Sequence, residues 1–372
     1  MKSVVPVNEP LLDGNEKRYL AECIDTGWIS SEGPFVRRFE QEFAARVGRK
    51  HGIAVCNGSA ALDAAVAALG LGAGDEVILP TFTIISCVSA ILRAGAAPVV
   101  VDSDPETWNI RADQVEERVT PRTKAIMVVH IYGLPVDMDP ILALAADRGL
   151  KIIEDSAELH GAAYRSKPCG SFGDISTFSF YPNKHITSGE GGMIVTDDDA
   201  LAARCGALRN LCFQSDKRFV HEELGWNFRM SNLQAAVGVA QLERLNEFVA
   251  MKREMGRLYR EYFRDVPGIQ HQPHRTSFAE NIYWVYGLVL HDDIGFDAAE
   301  AMRRLVKLNV ETRPFFWPMH EQPVFRRMGL FAGESHPAAE RLARRGFYLP
   351  SGMALTGQQI KTVADAVKEV LH

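Results

Sequence analysis

The stretch SFYPNKHITSGEGGM, residues 179–193, sets one lysine between an aromatic, strand-like run and a cluster of glycines. On either side lie DISTFSF (174–180) and GGMIVTDD (191–198), short runs that read as buried strands. Further out, HGIAVC (51–56), DEVILP (75–80), APVVVD (97–102), KAIMVVHIY (124–132) and KIIEDSA (151–157) repeat the pattern. Ala/Leu-rich segments such as SAALDAAVAALG (59–70) and DPILALAADRGL (139–150) fall between several of them. Strands alternating with helices predict an α/β fold, a large mainly parallel sheet with helices on both faces. Functional residues in such sheets gather in loops at the carboxyl ends of strands.

With 372 residues, 47% of them hydrophobic, the chain is long enough for two domains. A helical stretch from residue 231 to 265 reads as a connector. Beyond it come a strand in NIYWVYGLVL (281–290), a helix in DAAEAMRRLVKLN (297–309) and a last helix opening with a capping box at Thr356 and Gln359. The expected division is a large domain over 1–245 and a smaller C-terminal α/β domain over 246–372. A formal net charge of −6 and the lack of a long Lys/Arg run argue against nucleic acid or anionic lipid as partner. The N-terminal apolar run is broken by Pro6, Asn8, Glu9 and Pro10, and the apolar region 84–102 contains Arg93, so neither a signal peptide nor a membrane span is expected. A cytoplasmic location is the default. Six scattered cysteines form no CxxC pair and HQPH (271–274) lacks a third ligand; neither disulfides nor a metal site is expected.

Three segments carry chemistry. In KIIEDSAELHG (151–161) a strand ends in Glu154 and Asp155, which alternation sends to opposite faces, so one carboxylate points into the protein or a cleft. Such a group needs a cation or donors, either as a structural ion pair or as a functional acid. In CNGSAALDAAVAALG (56–70) a strand runs into Asn57, Gly58 and Ser59, and a helix begins at once with Ala60, a ready anion site that ordinary turn and cap chemistry would also explain. Lys184 has flanks without the charge of an exposed face, and glycines 189, 191 and 192 let backbone approach closely. A partly desolvated lysine has a lowered pKa and is a usable amine nucleophile. A Schiff-base lysine, an acid for a pyridinium nitrogen and a phosphate cradle are together what pyridoxal 5′-phosphate requires of a protein.

Seven blocks occur in a recognisable order: GWISSEGPFVRRFEQEFA, NGSAAL, GDEVILPTFT, EDSAELHG, TFSFYPNKHITSGEGGM, NFRMSNLQAAVGVAQLERL and RPFFWPMH. With them the chain resembles the DegT/StrS sugar aminotransferases, fold-type-I pyridoxal phosphate enzymes, over nearly its whole length. The resemblance implies that Lys184 binds the cofactor and shuttles a proton, that Asp155 pairs with the pyridine nitrogen, and that Glu158 approaches the phenolic oxygen. It implies phosphate ligands at Gly58, Ser59 and Ser179, and an Asn227 that reaches the phosphate from a neighbouring subunit. That makes a homodimer with shared active sites, or a tetramer built from it. Arg229, Arg313 and His320 are candidates for holding substrate, because a sugar nucleotide or a donor carboxylate needs fixed cations or donors.

The implied reaction moves an amino group from L-glutamate to a nucleotide-linked 4-keto-6-deoxy sugar, with GDP-4-keto-6-deoxy-D-mannose, precursor of GDP-perosamine in lipopolysaccharide O-antigen synthesis, as the expected acceptor. Two positions depart from the family pattern. Ile84 stands where an aromatic residue usually stacks on the cofactor ring, leaving either Ile84 or nearby Phe82 for that task. Leu134 stands where relatives often carry a polar residue, a hint of a different sugar. Alternatives are amination at C3, a related dehydratase in which histidine replaces the lysine, and a non-catalytic cofactor-binding regulator.

Overall fold

The structure, a computed structural model, describes residues 4–214 and 216–371. Strands β1 (His51–Val55), β2 (Glu76–Pro80), β3 (Ala97–Val101), β4 (Thr123–Val129) and β5 (Lys151–Asp155) are followed by a small hairpin, β6 (Ala163–Tyr164) and β7 (Lys167–Pro168), and then by β8 (Ile175–Ser179) and β9 (Gly192–Thr196). Apart from the hairpin, they form a seven-stranded sheet in the order β1-β9-β8-β5-β4-β2-β3. The ladders from β8 through β5, β4 and β2 to β3 are parallel, while β9 runs antiparallel to both neighbours, β8 and β1.

Alternation along β4 shows why the sheet is covered on both sides. Ile126 and Val128 belong to one apolar cluster with Phe39, Phe43, Ala235 and Val239, and Ala125, Met127 and Val129 to another with Leu62, Val66, Val88 and Ile91. Each face is therefore sealed by its own helices, as a parallel sheet requires. Helix Gly58–Ala68 starts sharply because Asn57, in extended conformation, caps it: its side chain accepts the Ala60 N–H at 2.8 Å.

A second, antiparallel sheet has the order β10 (Ile269–His271), β11 (Tyr286–Leu290), β13 (Gly346–Leu349), β12 (Arg313–Pro314). Helices Leu245–Phe263, Ala298–Lys307 and Gly357–Leu371 pack on it in a cluster that also takes in Val5, bridged to Val310. The expected capping box forms: the Thr356 N–H reaches Gln359 Oε1 at 2.9 Å, and the Gln359 N–H reaches Thr356 Oγ1 at 3.3 Å.

Two expectations need correction. The stretch from residue 231 is two helices, Asn232–Leu242 and Leu245–Phe263. The axis breaks where Glu243 is held by Tyr19, Asn15 and Arg38, and Arg244 by Asp13 and Glu247. Of NIYWVYGLVL, only Tyr286–Leu290 is strand. Tyr283 adopts a left-handed φ of 51°, and its N–H is turned back onto Asn281 Oδ1 at 2.7 Å, so no ladder can run through it.

Candidate active site

At the carboxyl ends of β4, β5 and β8 lies a cavity of about 550 Å³. Asn57, Gly58 and Ser59 line one side; Asp155, Glu158, Thr177 and Ser179 form the sheet end; Lys184, Trp284, Phe316 and Tyr348 close over them. Lys184 stands on the connection between β8 and β9, whose ends are pinned together by the Ser179–Gly192 pairing. Its side chain is only 10% exposed. Nζ lies 3.6 Å from Glu158 Oε1 and 3.8 Å from the centre of the Trp284 ring. Burial lowers the pKa of this amine, against the pull of Glu158 and Asp155.

The two adjacent acids divide the roles that the sequence left open. Glu154 is fully buried and accepts from six donors: His130 Nε2 (3.1 Å), Ser156 Oγ (3.2 Å), Ser176 Oγ (3.1 Å), and the N–H groups of Gly170 (2.6 Å), Phe172 (2.9 Å) and Gly173 (3.2 Å). Burial opposes its ionisation, but the His130 hydrogen bond and these N–H groups win, holding it at about 2. Because His130 Nδ1 accepts the Val136 N–H, its Nε2 carries the proton given to Glu154. Glu154 is thus the structural carboxylate that fixes the loop after β7.

Asp155 faces the cavity. Its Oδ1 accepts the Ala157 N–H at 3.0 Å and its Oδ2 lies 3.4 Å from Cys87 Sγ. Burial raises its pKa, against the Ala157 bond and the Lys184 charge. Glu158 is pushed up to about 7, chiefly by burial, with Lys184 and the Tyr132 N–H at 2.7 Å pulling the other way. The site therefore holds an amine that loses its proton easily beside a carboxyl that binds one near neutrality.

The opposite wall offers donors of the kind an anion takes. Gly58 and Ser59 begin a helix and have no carbonyl one turn back to bond, so their N–H groups are free to face a ligand. The space in front of Gly58 is narrow: a Cβ there would stand 2.7 Å from Ser179 Cβ. Thr177 Oγ1 and Asn183 Oδ1, both in cavity-lining residues, are buried without a protein partner among the described residues. A narrow cradle of donors, an acid at a strand end and a dry amine fit a phosphorylated pyridine aldehyde.

Of the residues singled out in the sequence, Gly58, Ser59, Ile84, Asp155, Glu158, Ser179 and Lys184 line this one cavity. Ala60 contributes only the N–H held by Asn57. Ile84 presents its side chain to the cavity, whereas Phe82 is fully buried against Tyr132, Phe315 and Phe316, so the apolar wall is Ile84. Leu134 is completely buried and lines no part of the cavity.

Arg313, exposed on β12, stands opposite Tyr348 at the cavity margin. Asn227 is exposed and bridged to Asn210. Arg229 donates to Asn210 Oδ1 at 2.7 Å and lines a separate cavity of about 460 Å³ with Arg209 and Phe219. His320 is buried, Nδ1 on the Thr81 hydroxyl at 2.8 Å and Nε2 on Glu340 at 3.1 Å, so both ring nitrogens are occupied away from the cavity. Trp284, Tyr348, Cys87 and His130 went unnoticed in the sequence. Trp284 lay inside a run that reads as plain strand, and no local signal marks any of the four.

Comparison with known proteins agrees with this geometry. Residues 10–368 match the DegT/DnrJ/EryC1/StrS aminotransferase family. GDP-perosamine synthase of Caulobacter vibrioides is 43% identical over 99% of this chain and 98% of its own, and that of Escherichia coli O157:H7 is 40% identical over 98% of each. Among solved structures, the aminotransferase TlmJ from Streptoalloteichus hindustanus superposes with a TM-score of 0.92 at 31% identity, covering 99% of this chain and 98% of that one.

Proposed function

Because the chain belongs to the DegT/DnrJ/EryC1/StrS aminotransferase family, whose members depend on pyridoxal phosphate, we propose that it moves an amino group from L-glutamate to a GDP-linked 4-keto-6-deoxy sugar, with GDP-4-keto-6-deoxy-D-mannose as acceptor and GDP-perosamine as product. The observation that carries the reading is the position of Lys184 Nζ, desolvated and between Glu158 and Trp284 in a cavity that also holds Asp155 and an open helix start. Bound there, pyridoxal phosphate supplies an aldehyde and an electron-withdrawing ring. Lys184 would hold the aldehyde end and carry a proton on Nζ. Asp155 would keep a proton on the ring nitrogen. The Gly58 and Ser59 N–H groups with the Ser179 hydroxyl would take the phosphate, and Ile84 and Trp284 would exclude water. The choice of GDP rests on the three GDP-perosamine synthases at 40–43% identity.

We further propose that the working unit is a homodimer. Asn227 and Arg229 lie outside the cavity of their own chain, next to a face that exposes Phe219, Leu224 and Trp226. A second copy packed on that face would bury this apolar surface and offer Asn227 and Arg229 to its neighbour's site.

The test is a panel of GDP-, dTDP- and UDP-linked 4-keto-6-deoxy sugars with glutamate, following 2-oxoglutarate release. The GDP-linked mannose derivative is expected to be turned over best, and Lys184→Ala to lose at least about a hundredfold. A preference for another nucleotide overturns the substrate; undiminished turnover by Lys184→Ala overturns the site.

A further inference from the structure

One buried amine plays no part in the chemistry above. Lys252, on helix Leu245–Phe263, has a relative exposure of 1% and no carboxylate partner among the described residues. Its Nζ donates to the carbonyl of Trp284 at 2.8 Å and to that of Ser351. Those carbonyls belong to the approach to β11 and the exit from β13, so this amine ties the two central strands of the second sheet together just where they meet the cavity. Residues 281–285 are irregular, with no ladder partners of their own among the described residues: the His185 Nε2–H donates to the Ile282 carbonyl at 3.1 Å, and the Ile282 N–H to the Gly133 carbonyl. Trp284 in turn faces the reactive amine, its ring centre 3.8 Å from Lys184 Nζ and its Nε1–H on the Asn183 carbonyl at 2.7 Å.

We propose that Lys252 is a positioning residue for Lys184: by holding the Trp284 carbonyl it fixes the indole against Nζ, and so sets the proton affinity of an amine it does not touch. This rests on Lys184 being the cofactor-binding lysine. Stoichiometry allows a role through N–H donation without charge. An unprotonated amine has two N–H groups and there are two carbonyls to fill, and burial, with a smaller push from Lys184, lowers Lys252 to about 7. Around Lys184 the other titratable groups are Glu158 and Asp155, which favour its charged form, and the buried His160 and His185, whose pKa values burial depresses so far that they stay neutral. An aromatic face stabilises the ammonium form. Releasing it makes Lys184 a weaker base, whereas deleting a neighbouring positive charge would make it a stronger one. The two mechanisms have opposite signs.

The experiment measures acetylation of Lys184 against pH by mass spectrometry, on the full-length chain without cofactor, together with the ¹⁹F resonance of Trp284 in fluorotryptophan-labelled protein. Lys252→Met is expected to shift and broaden the Trp284 resonance and to increase the acid dissociation constant of Lys184 about threefold to tenfold. It should have no further effect in a Trp284→Leu background. An unmoved midpoint with only a lower melting temperature reduces Lys252 to scaffolding and overturns the proposal; a smaller dissociation constant assigns it a charge role and also overturns it. If Lys252→Met does not fold, Lys252→Gln keeps N–H donors without the charge. The Lys184 constant is then expected to stay or to increase, and a decrease overturns the proposal. Since no turnover is measured, failure here leaves the proposed reaction standing, and failure of the substrate panel leaves this result standing.

Discussion

At the scale of single residues, the site is built on two carboxyl groups that burial treats in opposite ways. Glu154 has enough donors to stay ionised at about 2, and Glu158 does not, so it rises to about 7. The consequence for stability has a definite sign. The folded value of Glu158 lies above its unfolded one, so its stabilising contribution is whole below about 4.5 and is lost as pH rises through about 7. Urea unfolding of the cofactor-free chain at pH 5 and pH 8 should show this loss in the wild type. In Glu158→Gln, which keeps an acceptor for the Tyr132 N–H, it should be absent, and the difference between the two proteins should change by roughly 2–3 kcal/mol. An equal response of both proteins would mean that Glu158 titrates normally.

At the scale of elements, one capping residue sets the proposed anion cradle. Asn57 takes the Ala60 N–H and starts the helix in a register that leaves the Gly58 and Ser59 N–H groups free. Asn57→Ala is expected to cost about 1 kcal/mol of stability by urea unfolding. It should also weaken binding of pyridoxal phosphate while sparing pyridoxal, which has no phosphate to hold; equal weakening of both by equilibrium dialysis would remove the cradle from the account. This helix start was legible in the sequence, because capping, glycine and helix periodicity are local and lie within a few residues. The seven sheet strands and the Lys184 loop were legible for the same reason. Trp284 was not: its position depends on a turn at Tyr283 and on Lys252, 32 residues earlier in the chain. His320, read as a donor for substrate, turned out to serve Thr81 and Glu340, a pairing across 239 and 20 residues that no local pattern announces. The helix break at Glu243 and Arg244 is likewise decided by partners near the N-terminus, among them Asp13 and Tyr19.

At the scale of the whole molecule, the proposed dimer makes the exposed apolar face a functional element. Leu224 is 93% exposed and Phe219 is 82% exposed beside Asn227. Leu224→Glu is expected to halve the mass found by sedimentation equilibrium and to release the cofactor with it, while the melting curve of the monomer stays cooperative. A variant that keeps its mass would place the contact elsewhere. Among the described residues no helix is long and apolar enough to cross a membrane.

Among the described residues the one strand paired with β1 is β9, apart from a single bridge from Val55 to Arg229, and β9 is the last strand of its sheet to be made. During synthesis β1 must therefore wait for about 140 further residues before its hydrogen-bonding edge is covered, a delay of roughly 7 to 28 s at ordinary ribosomal rates. Throughout that interval the nascent chain carries an open template for adventitious pairing. Closure of the sheet, and with it the bracing of the Lys184 loop between β8 and β9, requires Thr196 to have cleared the exit tunnel.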